Sequence, residues 1–281
     1  MNDYHRVEAI KLAHQESSNG IKTDQYSVIL VAHIDDKDGK IRTRRLFSDI
    51  NKRAVQVSNG DNVVIDEDEL NALVARRIFA NYPHFKQGKL ISITEQEPMP
   101  AGDTKHFTNL LTLYAVNKKL RKLFSKQRGV PEYATEQVEA FSKTSTEFYD
   151  FVIQHEPSYT KFFISKTTTL ASERRNNRNP LFRPIGLVLL ASLYTYFRKA
   201  NKLDALSNNL KRIKFTSPDG HFDRILWNEG KVEARAKNRN AAYELCLYLL
   251  GEQDRQGKQN LLTTLREVTK HPDYELPPPI V

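Results

Sequence analysis

The chain has 281 residues, 39% of them hydrophobic and 27% charged, with 14 Phe and 12 Tyr, which is enough apolar material for a core and excludes wholesale disorder. A formal net charge of +9 favours polyanionic partners through phosphate contacts and counterion release. The single cysteine, Cys246, excludes an internal disulfide framework and a cysteine-rich metal site.

The opening residues His5 to Gln15 carry apolar side chains at 9, 10, 12 and 13 and predict a helix, ended by Ser17-Ser18-Asn19-Gly20. Tyr26 to Ile34 is almost continuously apolar and β-branched, the pattern of a buried central strand. Asp35 to Gly39 reads as a polar, hairpin-type turn; it lacks the Glu that would complete a calcium loop. A basic helix is expected from Thr43 to about Arg53, with Leu46, Phe47 and Ile50 on one face. Asn62 to Ile65 suggests a short strand. Asp66 and Glu69 then form an Asp-x-x-Glu helix start, and Pro83 closes a helix that runs to about Asn81. Leu90 to Glu95 is a candidate strand.

From Phe107 onward the periodicity is helical, with helices expected at 107–126, 135–154, 186–200, 203–214, 236–250 and 258–269, and an extended tail from Pro272. The fold class is therefore α+β: an α/β part over 1–105 followed by a mostly helical part over 106–281. The apolar run Ile185 to Phe197 is too short for a membrane span and reads as a buried helix. Cys246 lies in an apolar helical pattern and reads as a core residue. With no secretory signal visible, these features point to the cytoplasm.

No phosphate-binding Gly-x-x-x-x-Gly-Lys loop, Gly-x-Ser-x-Gly elbow or His-Glu-x-x-His motif occurs, and the eight histidines lack metal-ligand spacing, so no metal is expected. The basic residues are grouped. Arg42, Arg44, Arg45, Lys52 and Arg53 surround Asn51 on the expected basic helix, a candidate DNA-contacting face beside the acidic run Asp61 to Glu69. Lys118, Lys119, Arg121, Lys122, Lys126 and Arg128 exceed what capping a helix C-terminus needs. Arg174, Arg175 and Arg178 sit with three asparagines in a polar loop before Pro180, and Lys231, Arg235, Lys237 and Arg239 form a further basic segment.

Four segments carry a family resemblance, in the expected order: Asn2-Asp3-Tyr4-His5-Arg6 with Glu8-Ala9-Ile10, then Phe47-Ser48-Asp49-Ile50-Asn51 with Val57-Ser58, then Asn179-Pro180-Leu181-Phe182-Arg183-Pro184-Ile185-Gly186, and Trp227. Together they resemble the DGQHR-domain family, which includes the DndB proteins of DNA phosphorothioation. The resemblance implies a ParB/sulfiredoxin-like α/β part, double-stranded DNA and other DNA-modification proteins as partners, and a role as DNA-binding regulator or accessory protein. It also implies a phosphate or nucleotide site at His5 and Arg6, where a turn enters a helix N-terminus. A second reading it supports is an ATP-hydrolysing partner of a DNA 7-deazaguanine transglycosylase, with ATP as cofactor. Asp3 stands where the family has Gly, and the family's preceding strands are not in this chain, so it reads as N-terminally truncated relative to the family.

Overall fold

A computed structural model describes residues 34–54, 63–85, 88–94, 98–100, 102–125, 129–218, 220–228 and 230–281, together with 8, 11 and 12; the side chains of 50–54 are not among those described. The expected strand Tyr26 to Ile34 lies outside this set except for its last residue. Of the opening helix, Glu8, Lys11 and Leu12 are described and helical, with Lys11 Nζ 2.8 Å from a Glu8 carboxylate oxygen. The chain divides into two units, Met1–Lys40 and Ile41–Val281.

Helix α1 spans Lys37–Ala54 and begins six residues before the expected start at Thr43. The reason is Asp36: its Oδ1 accepts from the Gly39 backbone N–H at 2.6 Å, and its carbonyl accepts from Lys40 N at 3.1 Å. What reads as a turn in sequence is therefore a helix cap.

In the second unit, residues 63–65 are helical where a strand was expected. The β-branched run is overridden by tertiary contact: the Val63 side chain is buried and its carbonyl accepts from Arg76 Nη1 at 2.7 Å. Helix α2 follows at Leu70–Asn81. Asp66 Oδ1 accepts from the backbone N–H groups of Asp68 and Glu69, each at 3.0 Å, and Glu69 takes the N-cap role itself, accepting from Ala72 N at 2.7 Å.

Strand β1 (Ile91–Ser92) pairs in parallel with β2 (Thr108–Asn109), Ile91 opposite Thr108 and Ser92 opposite Asn109. The boundary expected near residue 105 lies between these paired strands. Because Asn109 is both strand residue and N-cap, accepting from Thr112 N at 2.8 Å, helix α3 (Leu110–Leu120) starts later than its apolar pattern suggests. Helix α4 spans Thr135–His155, α5 Pro184–Lys199 and α6 Leu203–Leu210. The antiparallel hairpin β3 (Trp227–Asn228) with β4 (Lys231–Val232) precedes α7 (Ala236–Leu249) and α8 (Arg255–Thr269). Between α4 and α5 the backbone is wound as π-helix at Thr160–Ser165 and Ser172–Asn176, and as a 3-10 turn at Pro180–Phe182. The described residues thus form an α+β, mostly helical fold.

The core sits where α2 packs on α3 and α4, α3 on α5, and α5 on α7. One buried polar chain crosses it: Asn117 on α3 donates to the Asn71 carbonyl at 3.0 Å and accepts from the Ser145 hydroxyl on α4. Phe107 is the hub of an aromatic cluster, with ring centroids 4.9 Å from Phe163, 5.3 Å from Tyr159 and 5.8 Å from Phe182. The tail folds back on α7, Ile280 N donating to the Leu249 carbonyl at 2.8 Å. Among the described residues no helix is long and apolar enough to cross a membrane.

Glu156 is 5% exposed; it accepts from Tyr159 N at 2.8 Å and from the Ser158 hydroxyl. Burial pushes its pKa above the ordinary 4.5, and the nearby Glu173 adds to the rise. The folded state thus holds the proton more tightly than the unfolded chain, and that contribution to stability is lost as pH rises above 4.5 through the folded value. Glu156→Gln keeps an acceptor without the charge. Its melting temperature is expected to match the wild type in acid and to exceed it by about 2–4 °C above that window, in melts taken across pH.

Candidate nucleic-acid interface

Two arginines of α1, Arg44 and Arg45, are engaged by the acidic run that follows. Arg44 Nη1 lies 2.6 Å from Glu67, whose side chain is 7% exposed, and Arg76 reaches the same carboxylate at 3.3 Å. Arg45 Nε is 3.0 Å from Asp68, and its guanidinium lies 4.4 Å above the Tyr133 ring. Arg42 is exposed on the same helix. The side chains of Asn51, Lys52 and Arg53, and all of His5 and Arg6, lie outside the described residues.

The Arg174–Arg178 loop divides into two roles. Glu173 and Arg174 face inward from the π-helical stretch, whereas Arg175 and Arg178 are exposed. Arg174 is 2% exposed and spends its donors on carbonyls: Nε on Phe182 at 2.8 Å, Nη1 on Asp103, and Nη2 on His106 and Phe107, each at 2.8 Å. Its donors are therefore spent on the chain itself and turned inward. Burial, with Arg183 adding repulsion, pulls its pKa down to about 10. Glu173 accepts from Thr168 Oγ1 at 2.8 Å and from Asn179 Nδ2 at 3.2 Å, which fixes the other side of the turn.

Above Arg174 opens a cleft of about 900 Å³. Among the described residues, Arg175, Arg178, Arg183, Lys231 and Arg239 line it, together with Pro98, Met99, Pro184, Ile185, Trp227 and Val232, and no carboxylate does. Asn179 initiates the wall by accepting from Leu181 N at 3.0 Å. Gly186 lets α5 close on that turn: a Cβ there would lie 2.2 Å from the Pro180 carbonyl oxygen. The hairpin β3–β4 turns through Gly230 at φ +80°, which brings Lys231 to the cleft. Burial lowers the pKa of Arg183, and Asp103 partly offsets this. Asp103 is itself occupied by His106, at 2.8 Å from the ring nitrogen, and by two backbone N–H groups.

Ile185 and Arg239 also line a second cleft of about 870 Å³, whose other cations are Lys118, Lys119, Lys122 and Lys199, with Glu244 as its carboxylate. The two hollows therefore form one basic track. It unites segments that are far apart in sequence: the end of α3, the loop before α5, the end of α5, and the hairpin with the start of α7. The lysine cluster at 118–122, the arginine loop and the segment at 231–239 are each visible in sequence, but their convergence is not. Arg183 and Trp227 were legible only as members of resembling segments, not as lining residues.

The family model for DndB, described as DNA-sulfur modification-associated, matches residues 3–252. This chain belongs to the DndB family. It is thereby associated with DNA-sulfur modification. No curated protein and no solved structure matches it. In this DndB-family chain the third resembling segment, Asn179 to Gly186, builds the wall of the arginine cleft, and the second lies on α1.

Two substitutions test this construction. Arg174→Lys keeps the charge but cannot present a planar fork to four carbonyls, so a loss of about 3 kcal/mol or more is expected in denaturant titrations. Gly186→Ala forces backbone apart and should cost about 1–3 kcal/mol by the same measurement.

Proposed function

We propose that this DndB-family protein binds duplex DNA along the basic track and acts as a DNA-binding regulator or accessory protein of a DNA sulfur-modification system. One observation carries the reading: lysines and arginines from four separate segments line two adjoining hollows, and the arginine hollow has no carboxylate among its described lining residues. Guanidinium and ammonium groups held in this way attract phosphates and release counterions on binding. The exposed lysines at the end of α3 suit contacts with the backbone, which position a duplex without reading its sequence. Helix α1 contributes less than its composition suggests, because Arg44 and Arg45 already have carboxylate partners in Glu67 and Asp68. Arg42, Asn51, Lys52 and Arg53 are further proposed DNA contacts, and other DNA-modification proteins are the partners the family association favours.

Fluorescence anisotropy with a labelled duplex over a salt series tests the track. Replacing Lys118, Lys119 and Lys122 together by Gln should lower the slope of log affinity against log salt by about 2–3. Replacing Arg44 and Arg45 should change it less. Unchanged affinity and slope in the lysine variant would remove the track from DNA binding. A regulator, unlike a general accessory protein, should also prefer its own site over random duplex by about a thousandfold.

A further inference from the structure

The arginine half of the track differs in kind from the lysine half. Lys118, Lys119 and Lys122 stand exposed on a helix end. Arg183 is half-buried, and its Nε is a buried donor with no acceptor among the described residues. Trp227, 5% exposed, also lines this cleft, and its indole N–H is a second such donor. Buried donors are rarely left unpaired without a reason. Here both belong to the wall of one hollow that is rich in positive charge.

Further observations agree. Arg178 is held at φ +43°, a conformation uncommon for a residue with a side chain, and it follows a π-helical stretch, a backbone form frequent at functional sites. Arg175, Arg178, Lys231 and Arg239 make no ion pair with any described residue. Arg174 and Arg183 repel each other across the cleft floor, and each is held below its ordinary pKa, first by burial. A volume of about 900 Å³ is far larger than a single inorganic ion needs and falls in the range of small-molecule sites. Met99, Pro184 and Ile185 give it an apolar side, which a bare anion would not use.

We propose that this cleft is a binding site for the phosphate end of a nucleotide, with Arg175, Arg178, Arg183 and Arg239 on the phosphates and the apolar side, next to Trp227, against the sugar or base. The ligand is either a free nucleoside polyphosphate or the terminal nucleotide of a DNA strand; both present the same chemistry. The inference rests on reading this surface as one that binds polyanions, but it assigns the arginine end a discrete ligand rather than a length of backbone. Guanidinium forks suit a phosphate monoester, whose several oxygens accept paired N–H groups.

Trp227 is the chain's one tryptophan and reports on the cleft directly. The full chain is titrated, at constant ionic strength, with ATP, with inorganic pyrophosphate, and with a short oligonucleotide bearing either a 5′-phosphate or a 5′-hydroxyl. Tryptophan emission is followed throughout. A saturable change with ATP assigns a free nucleotide; one with the 5′-phosphorylated strand but not its 5′-hydroxyl twin assigns a strand end. Arg178→Asn removes the charge with a residue that tolerates the left-handed backbone, and it should weaken the response about tenfold. Arg183→Lys, which loses the fork but keeps the charge, should do the same. No response to any probe, an equal response to both oligonucleotides without one to ATP, or an unchanged affinity in Arg178→Asn overturns the proposal. Repeating the titration in the Lys118, Lys119 and Lys122 variant separates the two readings. A retained tryptophan response beside unaltered duplex binding would sink the DNA track and leave the cleft standing.

Discussion

Arg174 holds together two stretches of chain that are far apart in sequence. Its guanidinium donates to the carbonyls of Asp103, His106 and Phe107 on the approach to α3, and to Phe182 in the turn before α5. The bonds to Phe107 and Phe182 are buried, where an unpaired carbonyl is costly. The same contacts place Phe107 and Phe182 in the aromatic cluster at the centre of the second unit. A charge at this position also sets the electrostatics above it. Arg174 lies close enough to feel Arg183, and Asp103, the carboxylate acting on both, is engaged by His106. The cleft floor is therefore positive because of a residue whose own role is structural.

The distribution of carboxylates separates the two basic regions. On α1 the charges of Arg44 and Arg45 are answered locally: Glu67 holds Arg44 and Arg76, and Asp68 holds Arg45. These pairs fasten α1 to the segment before α2, where the Arg76 guanidinium also takes the carbonyls of Val63 and Asp66, each at 2.7 Å. Around the cleft no such answer is present among the described lining residues. Charge density in sequence is nearly the same in both places. The difference between a fastening and an anion-binding surface is the position of acidic side chains, which the fold sets.

Much of the helical part was legible because it rests on local rules. Helices α4, α5, α7 and α8 begin within three residues of where their apolar periodicity puts them. The misreadings come where a side chain does something other than follow propensity. Asp36 caps α1, so an apparent turn became its first residues. Thr108–Asn109 is recruited by Ile91–Ser92, which shortens α3. Val63-Val64-Ile65 looks extended by composition but is helical, its first carbonyl taken by Arg76. In the candidate interface, Arg174 was grouped with Arg175 and Arg178 because the three share a loop. The π-helical winding of 172–176 turns it inward and leaves Arg175 outside.

By itself the sequence determined the helical character of the chain from Leu110 onward, its basic balance, its family and the separate clusters of cations. Those follow from composition, periodicity and short motifs, which act within a few residues of one another. Only the tertiary structure decided which cations are spent and which are presented. Pairing Arg44 with Glu67 joins residues 23 apart, and Arg174 reaches a carbonyl 71 residues away. Bringing Lys118, Arg178 and Lys231 onto one track depends on how α3, the turn before α5 and the β3–β4 hairpin pack. Such packing is fixed by the shape and burial of the whole core, and no local pattern encodes it.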